Sequence, residues 1–325
     1  MSRLLFVINP RSGVHSLAEF IDTAKAQVVG HELRFFVPQD ADDFANVSDR
    51  ARAAGVDVIV VVGGDGTTNS LLNELVKLQK PIYFFPAGTA NDLAQELNHR
   101  CDFTMLCESL AVPEIKMIDI LAANGKKFAT VGGFGIGAVL TRKMNELREL
   151  SPAFKFLSQR IKSHSYPLLA AQVILQREYP DLHVEIAIES PISEGSAGGF
   201  QSYDPECGGI SVRTQIHRLE TACLLVANQS FLGGSLKVQN GSRNDDGFFD
   251  IFALAKQSRS QLLRSLFEMR QGKVPAGTFL ARARSASIRT LDKKPICFFA
   301  DGEPLEENDS FQFHLFQAAL PVLVV

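Results

Sequence analysis

The sequence predicts an α/β domain built on a parallel sheet, followed by a second, mostly β domain. Three observations lead there. Through the first third, short apolar β-type runs alternate with amphipathic helical patterns, as strands joined by helical crossovers do. Beyond about residue 118 the pattern changes to strands separated by turns, with fewer helices. The chain has 325 residues and 46% hydrophobic content, about twice the usual domain size and enough for two cores. The boundary drawn on this change assigns 1–118 to the first domain, with 317–325 returning to it as a last strand, and 119–316 to the second.

Taken in order, residues 4–8 form a short apolar strand, and Asn9-Pro-Arg-Ser-Gly13 a loop. Ser16-Leu-Ala-Glu19 is a capping box opening a helix to about Val29. Residues 33–37 read as a strand, 40–54 as a helix stopped by Gly55, and 56–62 as a buried strand of Val and Ile. After Gly63-Gly-Asp-Gly-Thr67, a helix over 68–80 gathers Leu71, Leu72, Leu75 and Val76 on one side, and 81–85 is a strand. Thr89-Ala-Asn-Asp92 then reads as another capping box, leading a helix to Leu97. In the second domain strands are expected at 128–131, 168–176, 183–189, 210–215, 221–227, 247–253, 286–291 and 296–300, and the last apolar run, 318–325, is the strand that returns to the first domain. Ser151-Pro152 caps a helix to about Ser163, and Ser258-Arg-Ser-Gln261 boxes one ending before Gly272. The Ser-, Gly- and Pro-rich stretch 190–209 reads as a long loop or insertion, and there is no internal repeat.

Composition sets the outer limits. With 33 basic and 36 acidic residues the net charge of −3 gives no global pull toward nucleic acid or another polyanion. Five widely spaced cysteines without a Cys-x-x-Cys pair argue against a disulfide framework and a zinc site. No window approaches the roughly 20 apolar residues of a transmembrane helix, and the start is too short for a signal peptide. The expectation is a soluble cytoplasmic chain.

Two loops carry the chemistry. Gly63-Gly-Asp-Gly-Thr67 follows a buried strand and precedes a helix, so its glycines let backbone N–H groups approach an anion while the helix N-terminus adds partial positive charge. A side chain at Gly64 is expected to fill a phosphate's place with little loss of stability. Asp65 among phosphates is repulsive unless it engages a cation, and Mg2+ is the natural partner; otherwise the loop is an ordinary turn with Asp65 as a cap. Pro86-Ala-Gly88-Thr89-Ala-Asn91-Asp92 is built alike, and two such cradles side by side on one sheet edge suit a triphosphate, although a capping box alone accounts for Thr89 and Asp92.

Asn9-Pro-x-Ser-Gly13, the Gly-Gly-Asp-Gly-Thr stretch and Pro-x-Gly-Thr-x-Asn-Asp, in this order and spacing, resemble the diacylglycerol kinase catalytic domain family, which includes bacterial lipid kinases and sphingosine and ceramide kinases. Val226-Ala-Asn228 with Phe231-Leu-Gly-Gly234, Asn244-Asp-Asp246-Gly-Phe-Phe-Asp250 and Ala300-Asp-Gly-Glu303 match its later motifs, so the resemblance covers roughly 3–325. It implies an NAD kinase- and diacylglycerol kinase-like nucleotide-binding domain, a C-terminal β-sandwich, and ATP and Mg2+ in the cleft between them. The nucleotide then falls to Asn9, Gly63, Gly64, Asp65, Gly66, Thr67, Gly88, Thr89 and Asn91. The resemblance further implies a structural Mg2+ on the Asp246 carboxylate and the Arg243 and Phe248 carbonyls, though by itself this stretch reads as a polar turn. It makes Glu303 the general base, with Asp65 beside the Mg2+.

The implied activity is transfer of the γ-phosphoryl group of ATP to a hydroxyl of a membrane lipid, diacylglycerol-like by default, in phospholipid biosynthesis. The enzyme would be a cytoplasmic protein touching the membrane peripherally, with no nucleic-acid partner, and the resemblance admits a homodimer. Two rivals are a kinase of a soluble substrate such as NAD, which leaves the Leu232-Gly-Gly and Asp-Gly-Glu segments unexplained, and a lipid-binding protein without catalysis, which should have lost one of Asp65, Asp246 and Glu303. The family often carries a nucleotide-contacting Thr after its second strand, where this chain has Val37-Pro-Gln39. Gly133-x-Gly135-x-x-Ala138 fits a dinucleotide fingerprint formally, yet no acidic residue stands about 20 positions on.

Overall fold

A computed structural model of the chain describes residues 1–13, 16–88, 90–150, 165–191, 201–202, 212–232, 236–237 and 241–324. The first part runs β1 Arg3–Ile8, α1 Leu17–Gln27, β2 Glu32–Phe36, α2 Ala41–Ala45, α3 Val47–Ala53, β3 Val58–Gly63, α4 Asp65–Leu78, β4 Ile82–Pro86, α5 Asp92–Glu96 and α6 Phe103–Ala111. Its strands pair in parallel in the order β4-β3-β1-β2. Side chains alternate across a strand, so Leu5, Val7, Ile59 and Val61 meet Leu71, Leu72 and Leu75 of α4 on one face. Leu4, Phe6, Ile8, Val60 and Val62 meet Ala24 of α1 and Leu106 of α6 on the other. Burial on both faces is why these strands read as unbroken apolar runs. The loops after β1, β3 and β4 all emerge at the carboxyl edge.

The second part runs β5 Glu114–Ala123, β6 Lys126–Phe128, β7 Val131–Gly135, α7 Ile136–Leu150, α8 Ser165–Gln176, β8 Leu182–Pro191, β9 Gln201–Ser202, β10 Val212–Ala227, β11 Phe231–Leu232, β12 Leu236–Lys237 and β13 Phe249–Ala255. It closes with α9 Arg259–Arg270, β14 Thr278–Ala283, β15 Ser285–Thr290, β16 Ile296–Ala300, β17 Glu303–Asn308 and β18 Ser310–Val324. These strands are antiparallel, and their inner core is aromatic, with Phe134, Phe298, Phe311 and Phe313 in tilted and edge-on contact. Helices α7, α8 and α9 cover the other side of β7, β10 and β13 through Met144, Val173 and Leu262.

Two long strands join the halves. β5 and β18 pair antiparallel from Phe313↔Ala123 to Val324↔Glu114, with a bulge between Phe316 and Leu320, and Val322 also pairs with Ile82 of β4. The expected boundary at 118 therefore falls inside β5, and the last apolar run continues β18 instead of forming its own strand. His99 pins this junction from β4: Phe84 N–H donates to its Nδ1 at 3.2 Å, and its Nε2 donates to the Leu323 carbonyl at 2.8 Å.

Several elements differ from the sequence reading. The helix expected over 40–54 breaks at Asn46 into α2 and α3. Residues 168–176, expected as a strand, are helical within α8; a continuous apolar run does not distinguish a strand from a buried helix. The strands expected at 210–215 and 221–227 form one, β10, bulged between Thr221 and Cys223. Helices α6 and α7 and strands β14 and β17 have no counterpart in that reading. The expected 151–163 helix and most of the 190–209 stretch lie outside the described residues.

Candidate active site

Three loops at the carboxyl edge of the parallel sheet are hydrogen-bonded into one unit. Gly13 N–H donates to the Ala87 carbonyl at 2.7 Å, and Ala87 N–H to the Gly63 carbonyl at 2.8 Å. The Asn9 amide donates to Thr67 Oγ1 at 2.8 Å while its Oδ1 accepts from Arg11 N–H at 2.9 Å, so Asn9 braces the first loop against the second. A Cβ on Gly63 would lie 2.4 Å from Thr67 Oγ1, which makes glycine the condition for this brace.

The two glycine loops pack back to back. A Cβ on Gly64 would stand 2.9 Å from Gly88 Cα, and one on Gly88 would stand 2.5 Å from Gly64 Cα. Both neighbours are backbone. This corrects the expectation that a side chain at Gly64 costs little stability: it would push the loops apart before it met any phosphate.

Asp65 bridges the loops. It is the first residue of α4, one turn earlier than expected, and its carboxylate accepts from Asn91 N–H at 2.8 Å and Asp92 N–H at 2.7 Å. The capping box expected at Thr89 is replaced by this arrangement: the N-cap of α5 is Asn91, in the left-handed region at φ 54, without a side-chain cap bond. The donors at the start of α5 are satisfied by an acid from another loop. Asn91 itself holds Gly88, accepting from Gly88 N–H at 2.8 Å and donating to the Gly88 carbonyl at 2.9 Å. Thr89 lies outside the described residues. Removal from water, and then the charge of Asp301, push Asp65 up to about 6, against the opposing pull of the two amides.

The opposite wall comes from the second part of the chain. Asp301, at φ 50, is buried and accepts from Ala129 N–H, Thr130 N–H, Thr130 Oγ1 and the Asn69 amide, the last at 2.9 Å. Gly302 follows at φ 77, and the turn delivers Glu303 as the first residue of β17. Asn145 of α7 donates to Glu303 Oε2 at 2.9 Å, and Oε1 lies 3.2 Å from where a Gly66 Cβ would be. Glu303 thus faces the N-terminal turn of α4. Asn9, Gly64, Asp65, Gly66, Thr67, Gly88, Asp301 and Glu303 line one cleft of about 510 Å³.

Arg243, Asp246 and Phe248 do not line that cleft. Asp246 Oδ1 accepts from Phe248 N–H at 3.1 Å, and its Oδ2 is paired with Arg282. Its neighbour Asp245 pairs with Arg243 at 2.8 Å and Lys116 at 3.3 Å. Among the described residues no three acidic, His or Cys side chains converge on a common point. A guanidinium already neutralises Asp246, so this set fits a structural cation poorly. In the cleft, Asp65, Asp301 and Glu303 supply carboxylates without converging on one point, and carboxylate oxygens are the donor type that fits a divalent cation arriving with a nucleotide.

Asn69, Thr130, Thr141, Asn145 and Tyr166 also line the cleft or hold its acids, and the sequence reading missed them. Asn69 stands one helical turn after Asp65, a spacing that could have found it. Asn145 carries no such signal, because its helix was not foreseen. The Gly132 to Gly135 stretch is explained by packing, since a Cβ on Gly133 would meet the Leu224 carbonyl at 2.3 Å and one on Gly135 the Ala222 carbonyl at 2.2 Å.

Comparison with known proteins agrees with this architecture. The model of the diacylglycerol kinase catalytic domain matches residues 3–123, and that of the YegS C-terminal NAD kinase beta sandwich-like domain matches 194–324. The chain is similar to a diacylglycerol kinase of Bacillus subtilis (strain 168), 24% identical over 272 residues that cover 81% of this chain and 77% of that protein. It is also similar to one of Staphylococcus carnosus (strain TM300), 22% identical over 309 residues covering 93% and 88%. A crystal structure of a diacylglycerol kinase from Bacillus anthracis str. Sterne superposes with a TM-score of 0.67 at 18% identity, covering 100% of this chain and 97% of that one.

Proposed function

The chain belongs to the diacylglycerol kinase catalytic domain family, and from that premise we propose that this lipid kinase transfers the γ-phosphoryl group of ATP to a hydroxyl of a diacylglycerol-like membrane lipid. One observation carries the reading: the Glu303 carboxylate faces the glycine-rich start of α4 across a single cleft, so a proton acceptor and a phosphate cradle share one reaction space.

The backbone amides at the start of α4, held in register by the Gly64 to Gly88 contact, would receive the phosphates. Mg2+, bound with the nucleotide and held by Asp65 directly or through water, would neutralise charge on the transferring group. Glu303 accepts the proton of the attacking hydroxyl, and Asn145, donating to its Oε2, fixes the orientation of the carboxylate. The four donors of Asp301 make it the post on which the Asp-Gly-Glu turn stands.

The test is to incubate the protein with Mg2+ and labelled ATP over diacylglycerol, sphingoid bases, ceramide and phosphatidylglycerol in mixed micelles, and separately with NAD. Label in one lipid is the expected result. Label in NAD with none in any lipid would return the reading to a soluble-substrate kinase.

A further inference from the structure

We propose that the α8 and α9 helices of the second part form the surface that docks on an anionic lipid bilayer. The inference rests on the lipid-kinase reading for its choice of partner, since a bilayer is where such a substrate resides. Helix α8 contains no charged residue. It buries Leu169, Ala170, Val173 and Ile174 against the sheet and leaves Leu168 and Leu175, two turns apart on one face, 66% and 57% exposed. Among the described residues both stand open on the surface.

Helix α9 lies beside it, tied by the Arg259 guanidinium, which donates to the Leu175 carbonyl at 3.1 Å. Phe267 of α9 is 62% exposed, with Arg264 one turn before it and Arg270 one turn after it. Residues 258–274 hold Arg259, Arg264, Arg270 and Lys273 against the lone acid Glu268, a local excess of three positive charges on a chain whose net charge is −3. Exposed apolar side chains bordered by basic ones suit the bilayer interface, where the apolar groups enter the acyl boundary and the cations meet anionic headgroups. The location favours a bilayer over a protein partner. Tyr166, near the start of α8, lines the catalytic cleft, so the face begins where a lipid has to enter it.

The full chain is sedimented with phosphatidylcholine vesicles and with phosphatidylcholine vesicles containing phosphatidylglycerol. The wild type should bind the second kind and be released by salt. The triple variant Phe267→Ser, Arg264→Gln, Arg270→Gln should lose roughly tenfold or more of that affinity, while phosphorylating lipid in detergent micelles at an unchanged rate. The control Val29→Ser with Arg34→Gln, exposed positions on the first part, should bind like the wild type. A triple variant that sediments like the wild type overturns the proposal, as does a wild type indifferent to phosphatidylglycerol. A wild-type dimer that Phe267→Ser turns into a monomer overturns it too, making the face a contact between copies. The two readings fail separately: vesicle binding that depends on Phe267 without any lipid phosphorylation sinks the kinase, and kinase activity with Phe267-independent binding sinks the docking face.

Discussion

At the scale of single residues, the site depends as much on what is missing at Gly64 as on what is present at Glu303. The cradle exists because two backbones approach more closely than any side chain permits. Gly64→Ala should therefore lower stability by about 1–3 kcal/mol, the usual range for overpacking against backbone, and weaken ATP binding as well. Thermal melting and a nucleotide titration check this together, and an Ala variant that melts like the wild type would show that the loops can separate freely. Glu303→Gln tests the other wall. It keeps size and hydrogen bonding but cannot accept a proton, so kcat should fall roughly 10²- to 10⁴-fold with little change in ATP affinity. Near-normal turnover in the folded variant would move the base elsewhere.

At the scale of elements, charge is balanced locally by neighbouring strands. The turn before β13 carries Asp245 and Asp246, and the cations that answer them come from Lys116 on β5 and Arg282 on β14. Arg282 and Arg284 both stand over the Phe248 ring, at 5.1 and 4.8 Å, which holds the guanidinium beside Asp246. With that pair in place, Mg2+ should change the melting temperature of the nucleotide-free wild type little. Arg282→Gln should lower it and create a Mg2+-dependent recovery, because Asp246 would then need another cation. If wild type and variant respond equally to Mg2+, the guanidinium does not fill the cation's place.

At the scale of the whole molecule, two groups oppose each other in pH. His99, at the junction of β4 and β18, is held down to about 4 by burial. Its contribution to stability is full above its unfolded value of 6.5 and is lost as pH falls toward 4. Asp65 is raised to about 6, so its contribution is present below 3.8 and is lost as pH rises through 6. Each amounts to at most about 3 kcal/mol, and between pH 4 and 6 they partly cancel. Melting temperatures across this range should consequently rise more steeply with pH in Asp65→Asn than in the wild type. Profiles that run parallel would mean that Asp65 titrates alike in the folded and unfolded chain.

The sequence by itself determined the local part of this protein. Unbroken apolar runs marked the doubly covered strands β1 and β3, the Ser258 box marked α9, and the ordered glycine motifs carried the family resemblance and marked the cleft, because each is a property of a few consecutive residues. What joins distant positions was decided only in three dimensions. The cap of α5 comes from Asp65, with α4 and β4 between them in sequence; Gly64 is glycine because of Gly88; Asn145 reaches Glu303 from a helix whose pattern was not read; and Asp246, in the turn before β13, meets Arg282 of β14. The length of β10, the helical state of 168–176 and the passage of β5 and β18 through both halves were likewise settled by which neighbours supplied hydrogen bonds and apolar cover. A short window reveals what a residue prefers, but an unsatisfied amide, a close backbone approach or a buried charge is resolved by whichever partner the completed fold brings within reach.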